Sequence, residues 1–147
     1  MKRWMGIIAI IVLIFTACGD GDDNNDGTST VNNADFSELY GKWSYTSDSG
    51  LTRIYSISKN EIEFYVKYSF ANEPDLWYKS KIQTVEEITN NGISSKDEFP
   101  KGFQIKSVYT QDGTGGSYSV GTSQTQFYYL NENKDKMYEF WAYTKVE

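Results

Sequence analysis

Residues 62–70 alternate without a break, with Ile62, Phe64, Val66, Tyr68 and Phe70 on one parity and Glu63, Tyr65, Lys67 and Ser69 on the other. A period of two held over this length is the pattern of a strand with one buried face, and it does not fit a helix, whose repeat is 3.6. Two more segments share it: Phe103, Ile105, Ser107 and Tyr109 alternate with Gln104, Lys106 and Val108, and residues 138–146 alternate with aromatic rings on both parities. Weaker strand candidates occupy 42–46, 51–58, 77–87, 118–122 and 126–130. Turn formers stand between them: Asp48-Ser49-Gly50, Lys59-Asn60, Asn90-Asn91-Gly92, and residues 112–116 and 131–135. No stretch carries a helical apolar repeat over three turns, and Pro74 and Pro100 both fall in connections. Composition agrees, because aromatic residues make up 16% of the chain against only five Ala.

About eight short strands joined in sequence predict an all-β domain over residues 35–147, an antiparallel up-and-down barrel. Closing the sheet removes the bare edges that a flat one leaves, and a two-sheet sandwich is the competing arrangement. Asp35-Phe-Ser-Glu38 reads as a capping box that starts a short helical turn, which runs to about Tyr40 and stops at Gly41. Eight strands make a barrel wide enough either to fill with side chains or to hold one small ligand.

Upstream the composition changes. Lys2 and Arg3 precede an apolar run over residues 7–15, and the small residues Thr16 and Ala17 precede Cys18. This is the layout of a secretory signal peptide over residues 1–17, with an apolar run too short to span a bilayer. Ile14-Phe15-Thr16-Ala17-Cys18 resembles the lipobox of bacterial lipoproteins, with Phe15 where Leu is commonest. The resemblance implies diacylation of the Cys18 thiol, cleavage before it, and an anchor of palmitate-like chains in the membrane. Residues 18–34 then form the lipidated Cys and an acidic tether with four Asp, four Asn and three Gly, whose r.m.s. span as a flexible coil is roughly 20–24 Å. Gly19 follows the Cys where an inner-membrane retention signal has Asp, so the expected address is the cell envelope at the outer membrane, extending to the cell surface. Within the tether, Asp22-Asp23-Asn24-Asn25-Asp26-Gly27 imitates half of a calcium loop. Asn33 stands where the bidentate Glu belongs, so no metal site is expected.

Phe36-Ser-Glu-Leu39-Tyr40-Gly41-Lys42-Trp43 resembles the opening segment of lipocalin-like domains, where a helical turn closes one barrel end and a Gly-x-Trp begins the first strand. The resemblance implies that Gly41 permits the tight turn and that Trp43 packs across the barrel floor. In the lipocalins proper an Arg after the last strand stacks over this Trp. The nearest residue here is Lys145, which lacks that planar stacking, so the resemblance is to a smaller bacterial lipocalin-like branch.

Several chemistries are excluded by counting. The chain has no His and one Cys, which removes His-dependent catalytic triads, histidine-ligated metals, intrachain disulfides and CxxC redox pairs. The net charge of −6, which becomes −8 without Lys2 and Arg3, argues against nucleic acid and against anionic lipid headgroups. Carboxylates come in pairs, Glu61 with Glu63, Glu86 with Glu87 and Asp97 with Glu98, but paired acids on a strand are most often a solvated face. The expected role is therefore binding, without catalysis and without a cofactor. Twelve Tyr and four Trp are the positive clue. The lipocalin-like resemblance favours a small apolar or amphipathic ligand in the barrel mouth against Tyr45, Tyr68, Tyr109 and Trp141. The alternative is a filled barrel whose exposed aromatics meet a protein or glycan partner.

Overall fold

Ile62, Phe64 and Val66 turn inward and Glu63, Tyr65 and Lys67 turn outward, as their alternation predicts. The strand that carries them is the third of eight: β1 (Gly41–Thr46), β2 (Thr52–Ile57), β3 (Glu61–Lys67), β4 (Asp75–Thr89), β5 (Lys101–Asp112), β6 (Ser123–Leu130), β7 (Lys136–Tyr138) and β8 (Ala142–Val146). These are seen in a computed structural model that describes residues 34–89, 98–114 and 117–146. The expected signal segment, Cys18, the tether up to residue 33 with its calcium-like motif, the Asn90-Asn91-Gly92 turn and Asp97 lie outside the described residues.

Each strand pairs antiparallel with its sequence neighbour, and β8 returns to β1 through Lys42↔Val146, Trp43↔Lys145 and Ser44↔Thr144. The result is a closed, all-β, up-and-down barrel, and a single sheet closed on itself excludes the two-sheet sandwich. Pro74 and Pro100 immediately precede β4 and β5, where a missing N–H removes no ladder bond.

Three strand expectations need correction. The alternation over residues 62–70 is a strand only to Lys67, and Phe70, expected on its buried face, lies exposed in the β3–β4 connection. Residues 118–122 form no strand; Tyr118 belongs to the β5–β6 connection and lays its ring against Tyr78 and Tyr109 at centroid distances of 4.8 and 4.9 Å. Residues 138–146 are not one strand but the two arms of a hairpin, broken at Glu139-Phe140-Trp141. That turn contains no Gly, Pro, Asn or Asp; it is held by the Phe140 N–H donating to Glu139 Oε2 at 3.0 Å and the Glu139 N–H donating to the Trp141 carbonyl at 3.3 Å. The capping box also differs. Asp35 Oδ1 accepts the Ser37 N–H at 3.0 Å, opening a 3-10 turn at Ser37–Leu39, but Glu38 does not reach back. It bridges Lys101 at 3.1 Å and Lys134 at 2.8 Å and so ties the turn to the sheet.

The 3-10 turn seals one end of the barrel. Trp43 is fully buried there and its Nε1 donates to the Leu39 carbonyl at 2.8 Å. Phe103, Ile105, Leu130, Met137 and Tyr143 are fully buried in the same core. Gly41 has φ +122°, a conformation that costs glycine little, and a Cβ there would stand 3.3 Å from the Lys145 side chain. The room left by Gly41 lets Lys145 lay its stem along β1, with Nζ 5.2 Å from the centroid of the Trp43 ring.

Candidate functional site: the open end of the barrel

The opposite end is not filled. A cavity of about 720 Å³ opens there, within the roughly 300–1,000 Å³ typical of small-molecule sites. Its walls come from the upper halves of β2 to β6 and from the β7–β8 turn.

Register shifts explain why so many rings face it. Phe64 pairs with Tyr78 but Tyr65 pairs with Leu76, so Trp77 is an extra residue bulged out of the β4 ladder. The bulge breaks the alternation and lets consecutive residues, Trp77 and Tyr78, both line the cavity. Trp77 stands edge-on to Phe64 at 5.9 Å. Thr110 is extra in the same way, between the pairs Lys79↔Gln111 and Ser80↔Tyr109, and Tyr109 meets Tyr78 edge-on at 5.2 Å.

Below the rings lies a polar layer. Gln126 Nε2 donates to the Tyr78 hydroxyl at 2.8 Å. Gln124 accepts from the Tyr109 hydroxyl and donates to Ser80 Oγ at 3.2 Å and Ser107 Oγ at 3.1 Å. Burial pushes the Tyr78 hydroxyl far above its ordinary range, with hydrogen bonds from Tyr55 and Gln126 opposing the shift, so Tyr78 stays neutral at physiological pH. Four buried side-chain atoms in the barrel have no hydrogen-bond partner among the described residues: Gln126 Oε1, Trp77 Nε1 and the hydroxyls of Tyr128 and Tyr143.

The β7–β8 turn contributes the remaining wall. Glu139 faces the cavity, and burial raises its pKa; the Phe140 N–H and the charge of Arg53 oppose that rise. Arg53 places its guanidinium 4.0 Å from the Trp141 ring centroid, and Tyr45 stacks on the same Trp at 6.1 Å and 22°.

The four residues expected to touch ligand divide three to one. Tyr68, Tyr109 and Trp141 line the cavity, while Tyr45 does not and instead backs Trp141 from β1. Arg53, Trp77, Gln126 and Glu139 are cavity residues that were not among those expected from the sequence. The signal for Gln126 was present, because it shares parity with the inward Tyr128 and Leu130. The signals for Trp77 and Glu139 were not, since a bulge and an unmarked turn set their direction. Of the paired acids, Glu61, Glu86, Glu87 and Glu98 are exposed, and Glu63 forms an ion pair with Lys79 on the outer surface. Among the described residues no three acidic, His or Cys side chains are grouped so as to hold a metal ion.

Among the described residues, six of the seven exposed large apolar side chains, Phe70 at 87% and Phe140 at 75% included, belong to the open-end connections or to β6 beside them. No family model, no curated protein and no solved structure matches the chain.

Proposed function

We propose that this chain is an extracytoplasmic lipoprotein, anchored by acyl chains on Cys18 at the outer membrane, whose lipocalin-like barrel binds a small apolar or amphipathic molecule. The observation that carries the reading is the 720 Å³ cavity walled by Phe64, Trp77, Tyr78 and Tyr109, with Gln124 and Gln126 in its lining. Apolar walls supply affinity, and a few placed polar groups fix orientation. Support for the anchor is the signal layout and the lipobox-like run ending at the single Cys.

Two experiments test the two halves. Labelled palmitate is expected to enter the wild type and not Cys18→Ser; equal labelling of both, or of neither, removes the anchor from the reading. Native mass spectrometry of protein purified from its own cells is expected to show a retained mass that an environment-sensitive apolar dye displaces, one molecule per barrel. Absence of saturable dye uptake removes the ligand half. A partner-binding reading draws on the Tyr68–Phe70 stack, at 5.5 Å and 18°, which leaves Phe70 almost wholly in water beside the mouth.

A further inference from the structure

β6 has a neighbour along its whole length on one side and for only two residues on the other. Its register with β5 runs from Lys101↔Leu130 to Val108↔Ser123, whereas with β7 it holds only Tyr129↔Tyr138 and Leu130↔Met137. The cause is the shortness of the closing hairpin, which turns at residues 139–141 before it reaches the upper wall. β1 is bare at the same height, since its pairs with β8 stop at Ser44.

Parity tells which backbone groups this leaves. The Asn131 N–H donates to the Lys136 carbonyl at 3.2 Å, on the β7 side. In an antiparallel strand, residues of one parity point their N–H and C=O to the same edge. Phe127 and Thr125 therefore face the side of the missing wall, while Gln124, Gln126 and Tyr128 face β5. Among the described residues no strand stands opposite Thr125 or Phe127, so two donors and two acceptors of the main chain border the opening.

We propose that this bare edge of β6 receives an extended segment of a partner polypeptide, which pairs antiparallel with Thr125 and Phe127 and sends alternate side chains into the mouth cavity. The proposal goes beyond the small-molecule reading, because it rests on a backbone edge rather than on the cavity alone. An edge of alternating N–H and C=O groups is matched by another extended main chain, and unpaired edges with exposed apolar side chains are templates for strand addition. Phe127 is such a side chain. The cavity wall includes Thr125, Phe127 and Tyr129 as well as the inward Gln124 and Gln126, so the cavity runs out to the edge without a barrier. The six residues 123–128 offer about 20 Å of edge at ~3.4 Å per residue, enough for four to six residues of a partner. Charge restricts that partner further. The open-end connections 47–51, 68–74, 113–122 and 139–141 carry Asp48, Glu73 and Glu139 and no Lys or Arg; with Asp75 and Asp112 at the adjoining strand ends these acids outnumber the Lys67 and Arg53 of β3 and β2. A segment with Lys or Arg flanking its apolar residues complements them. A second copy of this barrel is a poorer fit, because the hairpin over Tyr129 and Leu130 obstructs a flush approach of another β6.

The test uses the mature full-length protein and a phage-displayed library of random dodecapeptides, with enriched sequences then synthesised. Bound peptides are expected to alternate apolar residues and to lose at least tenfold in affinity when N-methylated at every second residue, with methylation at the intervening residues tolerated. The Thr125 and Phe127 amides are expected to exchange fast in the free protein and to become protected with peptide. Thr125→Pro, which removes an N–H that faces the opening and none that faces β5, is expected to weaken the peptides at least tenfold. Should that variant not fold, the N-methyl pattern on wild-type protein decides alone. The proposal is overturned if no peptide is enriched, if methylation shows no alternation, or if the two amides become protected with rising protein concentration alone, which marks self-association. Loss of dye uptake with peptide binding intact overturns the small-molecule reading instead.

Discussion

The two ends of this barrel are built from the same residue types and differ in what faces the middle. At the sealed end Trp43, Phe103, Leu130 and Met137 are fully buried, and the one indole N–H is satisfied by the Leu39 carbonyl. At the open end Phe64, Trp77, Tyr78 and Tyr109 surround a space. The difference is set by reach. The Ser37–Leu39 turn crosses one end of the barrel, and the closing hairpin stops short of the other. One end is therefore expected to carry stability, and the other to carry recognition.

The sharpest way to break that division is Trp43→Ala. Loss of a fully buried indole is expected to cost about 3–5 kcal/mol, measured by urea denaturation, and a cost below ~1 kcal/mol overturns the assignment of the sealed end. Tyr78→Phe, in the polar layer, removes the acceptor of the Gln126 amide at almost constant volume. An expected cost of about 1–3 kcal/mol reports a buried donor left unpaired. Trp141→Ala at the mouth removes the surface over which Arg53 lies; a stability loss of about 1 kcal/mol or less, with dye affinity reduced several-fold, separates recognition from stability.

The smallest effect concerns pH, and its sign differs between two sets of acids. Glu38 and Glu63 have pKa values lowered chiefly by hydrogen bonds from Lys134 and Lys79 respectively. Their contribution is present above the ordinary carboxylate value and is lost as pH falls through the lowered values. Glu139 is the reverse. Burial raises its pKa above the ordinary 4.5, so the folded state holds the proton more tightly than the unfolded chain does. Its contribution is greatest below the ordinary value and declines as pH rises through the raised one. Glu139→Gln is thus expected to stabilise the protein at pH 7 by a few tenths to about 1 kcal/mol and to make little difference at pH 4. An equal effect at both pH values shows that the Glu139 carboxylate is solvated.

How far the molecule was legible from its residues follows the same division. β3 was legible because its alternation is unbroken, and Trp43 because Gly41 and the turn before it mark the sealed end. The hairpin at 139–141 was not, since a Glu side chain binding its neighbour's N–H replaces the usual Gly or Asn, and nine alternating residues read as one strand. The total of eight strands therefore came out right while one was misplaced and two were merged. Trp77 was hidden by a bulge, which reverses parity without changing composition. Arg53 was legible in parity with Tyr55 and Ile57, but a charge on an inward position is discounted unless the Trp141 ring that receives it is already known to be there.

The closing hairpin also has a kinetic meaning. Every other seam in the sheet joins strands adjacent in sequence, so it forms at the small loop-closure cost of a turn. The β1–β8 seam joins Lys42 to Val146 and rests on three residue pairs, and the β6–β7 seam beside it rests on two. Six strands can assemble as a meander before the ring is shut, with Trp43 waiting under an unfinished wall. The hairpin is then the last unit to dock in folding and the first to leave in a partial opening. Amide exchange at Met137 and Tyr143 is expected to exceed that at Phe64 and Ile105, although all four side chains are buried.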